Sequence, residues 1–173
     1  MWFKIVSYLN FLLQSSNKHG VHSPFTFAFY TNCLLKKTDP TVQRKLNAIK
    51  ETLNSNNSYI DVEDFGSGST VFKRNRRKIS RISRVAGISS RKSASLSNTI
   101  GFLKPASILE IGTSVGLATS CMSLANSATK ILTIEGCKHT AAVAQDIFKK
   151  FQLNNIELKV GKFDEELPLS LIH

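Results

Sequence analysis

The sequence predicts an α/β protein built on a Rossmann-like parallel sheet, of which the chain carries the first half, about three strands, after an N-terminal helical extension. Two observations predict this. Between residues 108 and 160, three short apolar strands alternate with two amphipathic helices, and the links are short. Such strand–helix–strand units form right-handed crossovers, which make neighbouring strands parallel. A glycine-containing loop follows the first strand, where sheets of this kind bind ligands.

The N-terminal part of the chain has helical patterns. Apolar residues recur at helical spacing over residues 2–13, 24–36 and 41–53, with polar or turn-forming segments between them. Residues 59–65 alternate in character and lead into a predicted turn at residues 64–69. We therefore expect a helical extension over residues 1–92 and the first half of an α/β domain over residues 93–173, incomplete at its C-terminus.

The second part alternates strands and helices. A helix is predicted over residues 93–103, because the apolar spacing is helical and Pro105 prevents its continuation. The predicted order after it is strand, helix, strand, helix, strand. These elements span residues 108–111, 117–126, 130–135, 139–151 and 156–160.

Composition limits the class and location of the protein. With 42% hydrophobic and 20% charged residues, the chain is globular and not wholly disordered. Its three cysteines are widely spaced and form no CxxC pair, so they are expected to be reduced thiols and not zinc ligands. The four histidines do not suggest a metal site by spacing. No apolar run approaches the roughly 20 residues needed to span a bilayer, and no signal-peptide cleavage site is evident. A cytoplasmic protein is expected.

Most of the net charge of +11 lies in one segment. Ten cations and no acid lie between Asp64 and Glu110, and residues 73–92 hold nine of them. Such a segment could bind nucleic acid by neutralising phosphates. The alternative is a solvated helix face and loop, which the scarcity of aromatic residues and of RNA-binding motifs favours. The ten cations are Lys73, Arg74, Arg76, Arg77, Lys78, Arg81, Arg84, Arg91, Lys92 and Lys104.

The glycine loop after the first strand predicts the kind of ligand. Gly112 and Gly116 lie where the backbone of a parallel sheet approaches its ligand, but the GxGxxG pattern of dinucleotide enzymes is absent. Glu135 ends the next strand, about 20 residues later, where a carboxylate accepts hydrogen bonds from two ribose hydroxyls. Together they indicate a ligand with an adenosine-like ribose. A nicotinamide-dependent dehydrogenase fits the strand pattern but not the glycine spacing.

These segments resemble those of a known family. Residues 108–116 resemble the first motif of class I S-adenosylmethionine-dependent methyltransferases, in particular the hhEhGTSxG pattern of the O-methyltransferase-like branch. The resemblance continues through residues 133–136 and 160–168. Residues 19–25 and 64–69 are similar to the N-terminal portion of Bacteroidetes-type members. The resemblance implies a methyltransferase with S-adenosylmethionine as cofactor.

The resemblance also implies roles for residues of the first motif. Glu110 would face the amino end of the cofactor's methionine portion, directly or through water. Gly112, Thr113 and Ser114 would line that portion, and Gly116 would complete the cofactor-binding loop. The alternative for Glu110 is a strand carboxylate whose hydrogen bonds are satisfied by neighbouring amides.

The second and third motifs would hold the nucleoside. Glu135 would bind the ribose hydroxyls, Gly136 would flank the adenine, and Phe163 with Asp164 would approach the adenine edge. For Glu135 the alternative is again a carboxylate satisfied by neighbouring amides, and Asp164 could instead start a helix, where acids favour the helix dipole. Lys162 departs from the acid or amide that is common in the family.

The functional prediction is methyl transfer from S-adenosylmethionine to an unknown acceptor, expected to be a small molecule. No catalytic base is predicted, because methyl transfer depends mainly on positioning. The alternative is a non-catalytic nucleotide- or nucleic-acid-binding protein that retains the half-fold. Family members continue through further strands, so the first strand is expected to have an uncovered edge. Either the chain is a fragment, or self-association or another partner covers this edge.

Overall fold

The computed structural model describes residues 2–15, 23–63 and 74–170. The predicted turn at residues 64–69 and most of the 19–25 motif lie outside these residues. Residue contacts divide the chain into two compact units, Met1–Lys36 and Lys37–His173. The predicted boundary between residues 92 and 93 stays a prediction.

The first unit contains the first two of the three helices predicted in the N-terminal part of the chain. Helix α1 spans Trp2–Gln14, and helix α2 spans Pro24–Phe29 and continues as a π-helical turn over Tyr30–Leu34. The hydroxyl of Ser23 accepts a hydrogen bond from the Thr26 amide at 3.3 Å and so caps α2.

The second unit begins with a helix and a two-stranded antiparallel ribbon. Helix α3 spans Pro40–Ser55, strand β1 spans Tyr59–Asp61 and strand β2 spans Arg76–Lys78. Helices α4 (Ile79–Ala86) and α5 (Ser90–Leu103) follow. Neither β2 nor α4 was predicted from the sequence. Strand β2 consists of three cations, so no apolar alternation marks it, and its pairing with β1 is a non-local contact.

A parallel three-stranded sheet follows, as predicted. Its elements are β3 (Ser107–Ile111), α6 (Leu117–Ala125), β4 (Lys130–Glu135), α7 (Lys138–Lys150) and β5 (Ile156–Val160), and helix α8 spans Phe163–Ser170. The strands are ordered β3-β4-β5, and both pairs are parallel. The structure therefore confirms the α/β fold class and the half-sheet of three strands.

The main hydrophobic core joins α3 and α4 to the helices of the sheet. Twelve buried side chains form it, and partly buried residues of β1, β5, the helices α5 to α7 and the loops pack against them. Because α6 and α7 share this core, both lie on the same face of the sheet, as two right-handed crossovers in one direction require. The twelve are Leu46, Ile49, Leu53, Ile79, Ile82, Val115, Leu117, Cys121, Ala144, Ile147, Phe148 and Leu153.

Strand β3 has one open edge among the described residues. It pairs with β4 only, and its apolar side chains Leu109 and Ile111 remain 39% and 52% exposed. An edge strand of this kind presents unpaired backbone groups. The expected uncovered edge is present in the part of the chain that is described.

None of the helices within residues 2–15, 23–63 and 74–170 combines the length and the apolar character needed to cross a membrane.

Candidate cofactor-binding site

The loop between β3 and α6 adopts an unusual backbone conformation. Gly112, Ser114 and Gly116 have φ angles of 94°, 51° and 80°. These values lie in the left-handed region, which glycine enters without steric cost. A Cβ on Gly116 would lie 2.8 Å from Cε1 of Phe148, whereas a Cβ on Gly112 would have no neighbour within 4 Å. Gly116 is therefore needed for packing, and Gly112 leaves open space at the surface of the loop.

Glu135, at the end of β4, holds this loop through backbone amides. Its Oε2 accepts a hydrogen bond from the amide of Ser114 at 2.6 Å, and its Oε1 accepts one from the amide of Cys137 at 3.0 Å. A carboxylate has about four acceptor sites, so these two amides leave capacity for further donors. Glu135, which is predicted to bind the ribose, thus already holds the two loops on either side of it through their amides.

Glu110, one residue before the end of β3, is held by hydroxyl groups. Its Oε2 accepts hydrogen bonds from Thr119 Oγ1 at 2.5 Å and from Thr133 Oγ1 at 2.6 Å. Thr133 is the β4 partner of Glu110 in the sheet, and its hydroxyl lies 2.6 Å from that of Thr113. Within the described ranges, no group donates to the second oxygen of Glu110, Oε1.

Burial raises the pKa of Glu110 above its usual value. Desolvation is the main cause, the hydrogen bonds from Thr119 and Thr133 oppose it, and the nearby charge of Glu135 adds to it. The two predicted carboxylates are therefore close enough to interact, and a positively charged ligand beside Glu110 would favour its ionised form.

The remaining predicted residues lie at the carboxyl ends of β4 and β5. Gly136 links β4 to α7, and Gly161 donates its amide to the carbonyl of Glu135 at 3.1 Å, which joins the two strand ends. Phe163 and Asp164 are exposed and begin α8, directly after this junction. Asp164 thus occupies a first helical turn, as its alternative interpretation requires, and its role at the adenine stays a prediction.

Cys137 is a member of this site that sequence reasoning missed. Its buried thiol accepts a hydrogen bond from the Glu63 amide at 3.4 Å and donates one to the Asp61 carbonyl at 3.7 Å. These contacts attach the end of β1 to the residues beside Glu135. A lone cysteine between a strand and a helix carries no sequence signal for such a contact, which joins residues 76 positions apart.

The described part of the basic segment, residues 74–92, includes packed elements. In α4, Ile79 and Ile82 enter the core, while Arg81 and Arg84 are exposed, and Arg84 donates a hydrogen bond to the Asn54 carbonyl at 3.3 Å. The guanidinium of Arg76 lies 5.6 Å from the centre of the Tyr59 ring. The described cations are therefore the solvent-facing side of packed elements.

Two further features bear on the location of a binding site. Among residues 2–15, 23–63 and 74–170, no three His, Cys, Asp or Glu side chains come together as a metal site. A cavity of about 410 Å³ lies at the opposite, amino-terminal end of the strands, lined by residues such as Lys45, Ser123 and Asn155. It contains none of the predicted cofactor-binding residues.

Comparisons with solved structures return methyltransferases. An O-methyltransferase from Bacillus cereus in complex with S-adenosylhomocysteine is 16% identical, with a TM-score of 0.49, over 86% of this chain and 54% of that one. A Podospora anserina methyltransferase bound to S-adenosylhomocysteine is 16% identical, with a TM-score of 0.49, over 88% and 53%. The O-methyltransferase TomG from Streptomyces achromogenes, in complex with S-adenosylmethionine, is 18% identical, with a TM-score of 0.46, over 83% and 52%.

The chain spans about half the length of each of these structures. No protein-family model and no curated protein sequence matches it.

Proposed function

We propose that this chain binds S-adenosylmethionine at the carboxyl ends of β3 and β4, as the cofactor-binding half of a methyltransferase. When bound, the cofactor supplies an activated methyl group, which moves from its sulfonium sulfur to a nucleophile on the acceptor. The observation that carries the proposal is the presence of two carboxylates, Glu110 near the end of β3 and Glu135 at the end of the adjacent β4, beside a glycine loop without any charged side chain.

The charges of the site favour this cofactor over a dinucleotide. S-adenosylmethionine carries a cationic ammonium, a cationic sulfonium and an anionic carboxylate, so its net charge is positive, whereas a dinucleotide carries an anionic pyrophosphate. Residues 112–121 contain no cation, and the carboxylates of Glu110 and Glu135 beside them would repel a pyrophosphate. Coulomb attraction therefore supports a cationic ligand, and the wide spacing of Gly112 and Gly116 agrees with the absence of a dinucleotide motif.

The side chains present fit the parts of this cofactor. Oε1 of Glu110, which has no donor from the described residues, would accept from the ammonium group. Gly112, which has open space where a Cβ would lie, would allow close approach of the amino-acid portion together with Thr113 and Ser114. The loop as a whole, up to Gly116, would cradle that portion.

The nucleoside would bind toward β5. The spare acceptor sites of Glu135 suit ribose hydroxyls, because Ser114 and Cys137 supply it with two amides only. The adenine would be bordered by Gly136, Phe163 and Asp164, because these residues follow the carboxyl ends of β4 and β5.

We further infer a small-molecule acceptor and a cytoplasmic location. The three cysteines are free and buried, which agrees with a reducing compartment.

We also infer that a second copy of the chain or another partner covers the open edge of β3, in view of the exposed Leu109 and Ile111. Sedimentation velocity tests self-association: a monomer at micromolar concentration would contradict pairing between copies.

Calorimetric titration of the purified chain with S-adenosylmethionine tests the cofactor, with NADH as the competing ligand. We expect saturable binding of S-adenosylmethionine and none of NADH. Preferential binding of NADH would overturn the proposal, and so would the absence of S-adenosylmethionine binding by a chain that circular dichroism shows to be folded.

A further inference from the structure

The hydroxyl groups around Glu110 form a directed chain. A threonine hydroxyl has one proton to donate. Thr133 gives its proton to Oε2 of Glu110, so in the 2.6 Å contact between Thr113 and Thr133 the donor must be Thr113. Thr119 donates to the same oxygen from α6, on the other side. The hydrogen bonds therefore run from Thr113 through Thr133 to Glu110, and from Thr119 to Glu110.

These threonines are buried and come from three elements. Thr119 and Thr133 are 0% exposed and Thr113 is 3% exposed. They belong to α6, to β4 and to the loop after β3, respectively. A buried hydroxyl that lost its partner would be costly, so these hydrogen bonds disfavour other orientations of the Glu110 side chain.

The two oxygens of Glu110 differ in their hydrogen bonds. Both threonines donate to Oε2, and no described residue donates to Oε1. The side chain is thus held from one side and keeps a free acceptor on the other. On the basis of the proposed function, we infer that Thr119 and Thr133 are positioning residues that aim Oε1 of Glu110 at the ammonium group of the cofactor and so select ligands that carry it.

The inference separates two ligands that differ in this group. 5′-Methylthioadenosine shares the adenine and ribose of S-adenosylmethionine but lacks its amino-acid portion. Loss of a positioning hydroxyl should weaken binding of the complete cofactor and spare the smaller ligand. A residue that merely supported the fold would affect both ligands alike.

The variant Thr133→Val keeps the shape of the side chain and removes the donor. We expect it to weaken S-adenosylmethionine binding by about tenfold, as for a hydrogen bond to a charged group, and to leave 5′-methylthioadenosine binding within about twofold. Thr133→Ser, which keeps the hydroxyl, should restore cofactor binding. Thr119→Val should repeat the Thr133→Val result and provides the test if that variant does not fold.

Thr129→Val is the matched control. Thr129 is also 0% exposed and donates its hydroxyl to a backbone carbonyl, that of Pro105 at 2.7 Å, but at the other end of the sheet. We expect this control to change the affinity for neither ligand. Thermal unfolding of each variant reports any general loss of stability.

The pH profile provides a second readout. The charge of Glu135, on β4, faces Glu110 and disfavours its ionisation, whereas the two hydroxyls favour it. Removing the Thr133 donor should therefore move the pH at which cofactor binding is half-maximal upward. Equal weakening of both ligands by Thr133→Val and Thr119→Val, or an unchanged affinity for the complete cofactor, would overturn the inference. If the wild-type chain binds neither ligand, the proposed function fails first, and the inference with it.

Discussion

The carboxylates of β3 and β4 stand at neighbouring strand ends but are held in different ways. Glu135 accepts from two backbone amides, those of Ser114 and Cys137, while Glu110 accepts from two threonine hydroxyls. The pKa of Glu110 is raised chiefly by desolvation, and the charge of Glu135 contributes. Backbone amides tie Glu135 to the conformation of two loops, whereas hydroxyls tie Glu110 to the packing of side chains.

Because they are held differently, Glu135 contributes to the conformation of the loops, and Glu110 contributes to the electrostatics of the site. Replacing Glu135 should disturb the loops and the ligand together, because it removes the acceptor of two amides. Replacing Glu110 should leave the loops in place and change the electrostatics of the site. Variants at the two positions, and at the glycines between them, can therefore distinguish a structural from an electrostatic contribution.

The largest effect is expected for Glu135→Ala. The amides of Ser114 and Cys137 lose their acceptor and the ribose loses its partner, so S-adenosylmethionine binding should weaken by roughly 100-fold or more. Calorimetric titration measures the change. Glu157→Ala, which removes an exposed acid of β5, is the control and should bind normally. Unchanged affinity in Glu135→Ala would contradict its place in the site.

The second effect concerns stability at Gly116. Gly116→Ala forces a side chain into the left-handed region, with a φ of 80°, and against the Phe148 ring. The expected loss is about 3 kcal/mol of unfolding free energy, measured by urea denaturation. Gly112→Ala meets no atom within 4 Å and should lose about 1–2 kcal/mol, from backbone strain alone. Equal losses in the two variants would refute the packing role of Gly116.

The third effect concerns Glu110 and the way in which the free energy of unfolding depends on pH. Its pKa is raised in the folded state, so its contribution to stability is present below the ordinary glutamate pKa and is lost as the pH rises through the raised value. Glu110→Gln should reduce this decline in unfolding free energy. The same variant should weaken S-adenosylmethionine binding, because the neutral amide does not attract a cation. A pH dependence of stability equal to that of the wild-type chain would contradict the assignment.

The smallest effect is on thiol reactivity. Burial raises the pKa of Cys121 to about 11, and the side chain is fully buried. The thiolate reacts with disulfide reagents, so Cys121 should react in the folded chain much more slowly than in urea. Mass spectrometry after brief labelling measures this difference by peptide. Rapid labelling of Cys121 in the folded chain would show that the core around α6 opens readily.

The sequence predicted the elements that local pattern specifies. The β3-to-β5 half-sheet follows from apolar runs and helical spacing. The positive φ angles of Gly112 and Gly116 were not predicted, because the glycine spacing indicated only a loop at which the backbone approaches a ligand. Strand β2 was missed, since Arg76 and its neighbours have no apolar alternation and pair through a non-local contact. The threonine chain and the Cys137 contacts could not be predicted, because they depend on how side chains distant in sequence meet in space.

The most direct test of the central claim is an amide NMR titration of the isotope-labelled chain with S-adenosylmethionine. We expect the largest changes in amide chemical shift at Gly112, Ser114 and Cys137, which lie around the two carboxylates. The amide signals of Asn154 and Asn155, which line the cavity at the other end of the sheet, should keep their chemical shifts. Shifts confined to that distant cavity, with none in the glycine loop, would contradict the account.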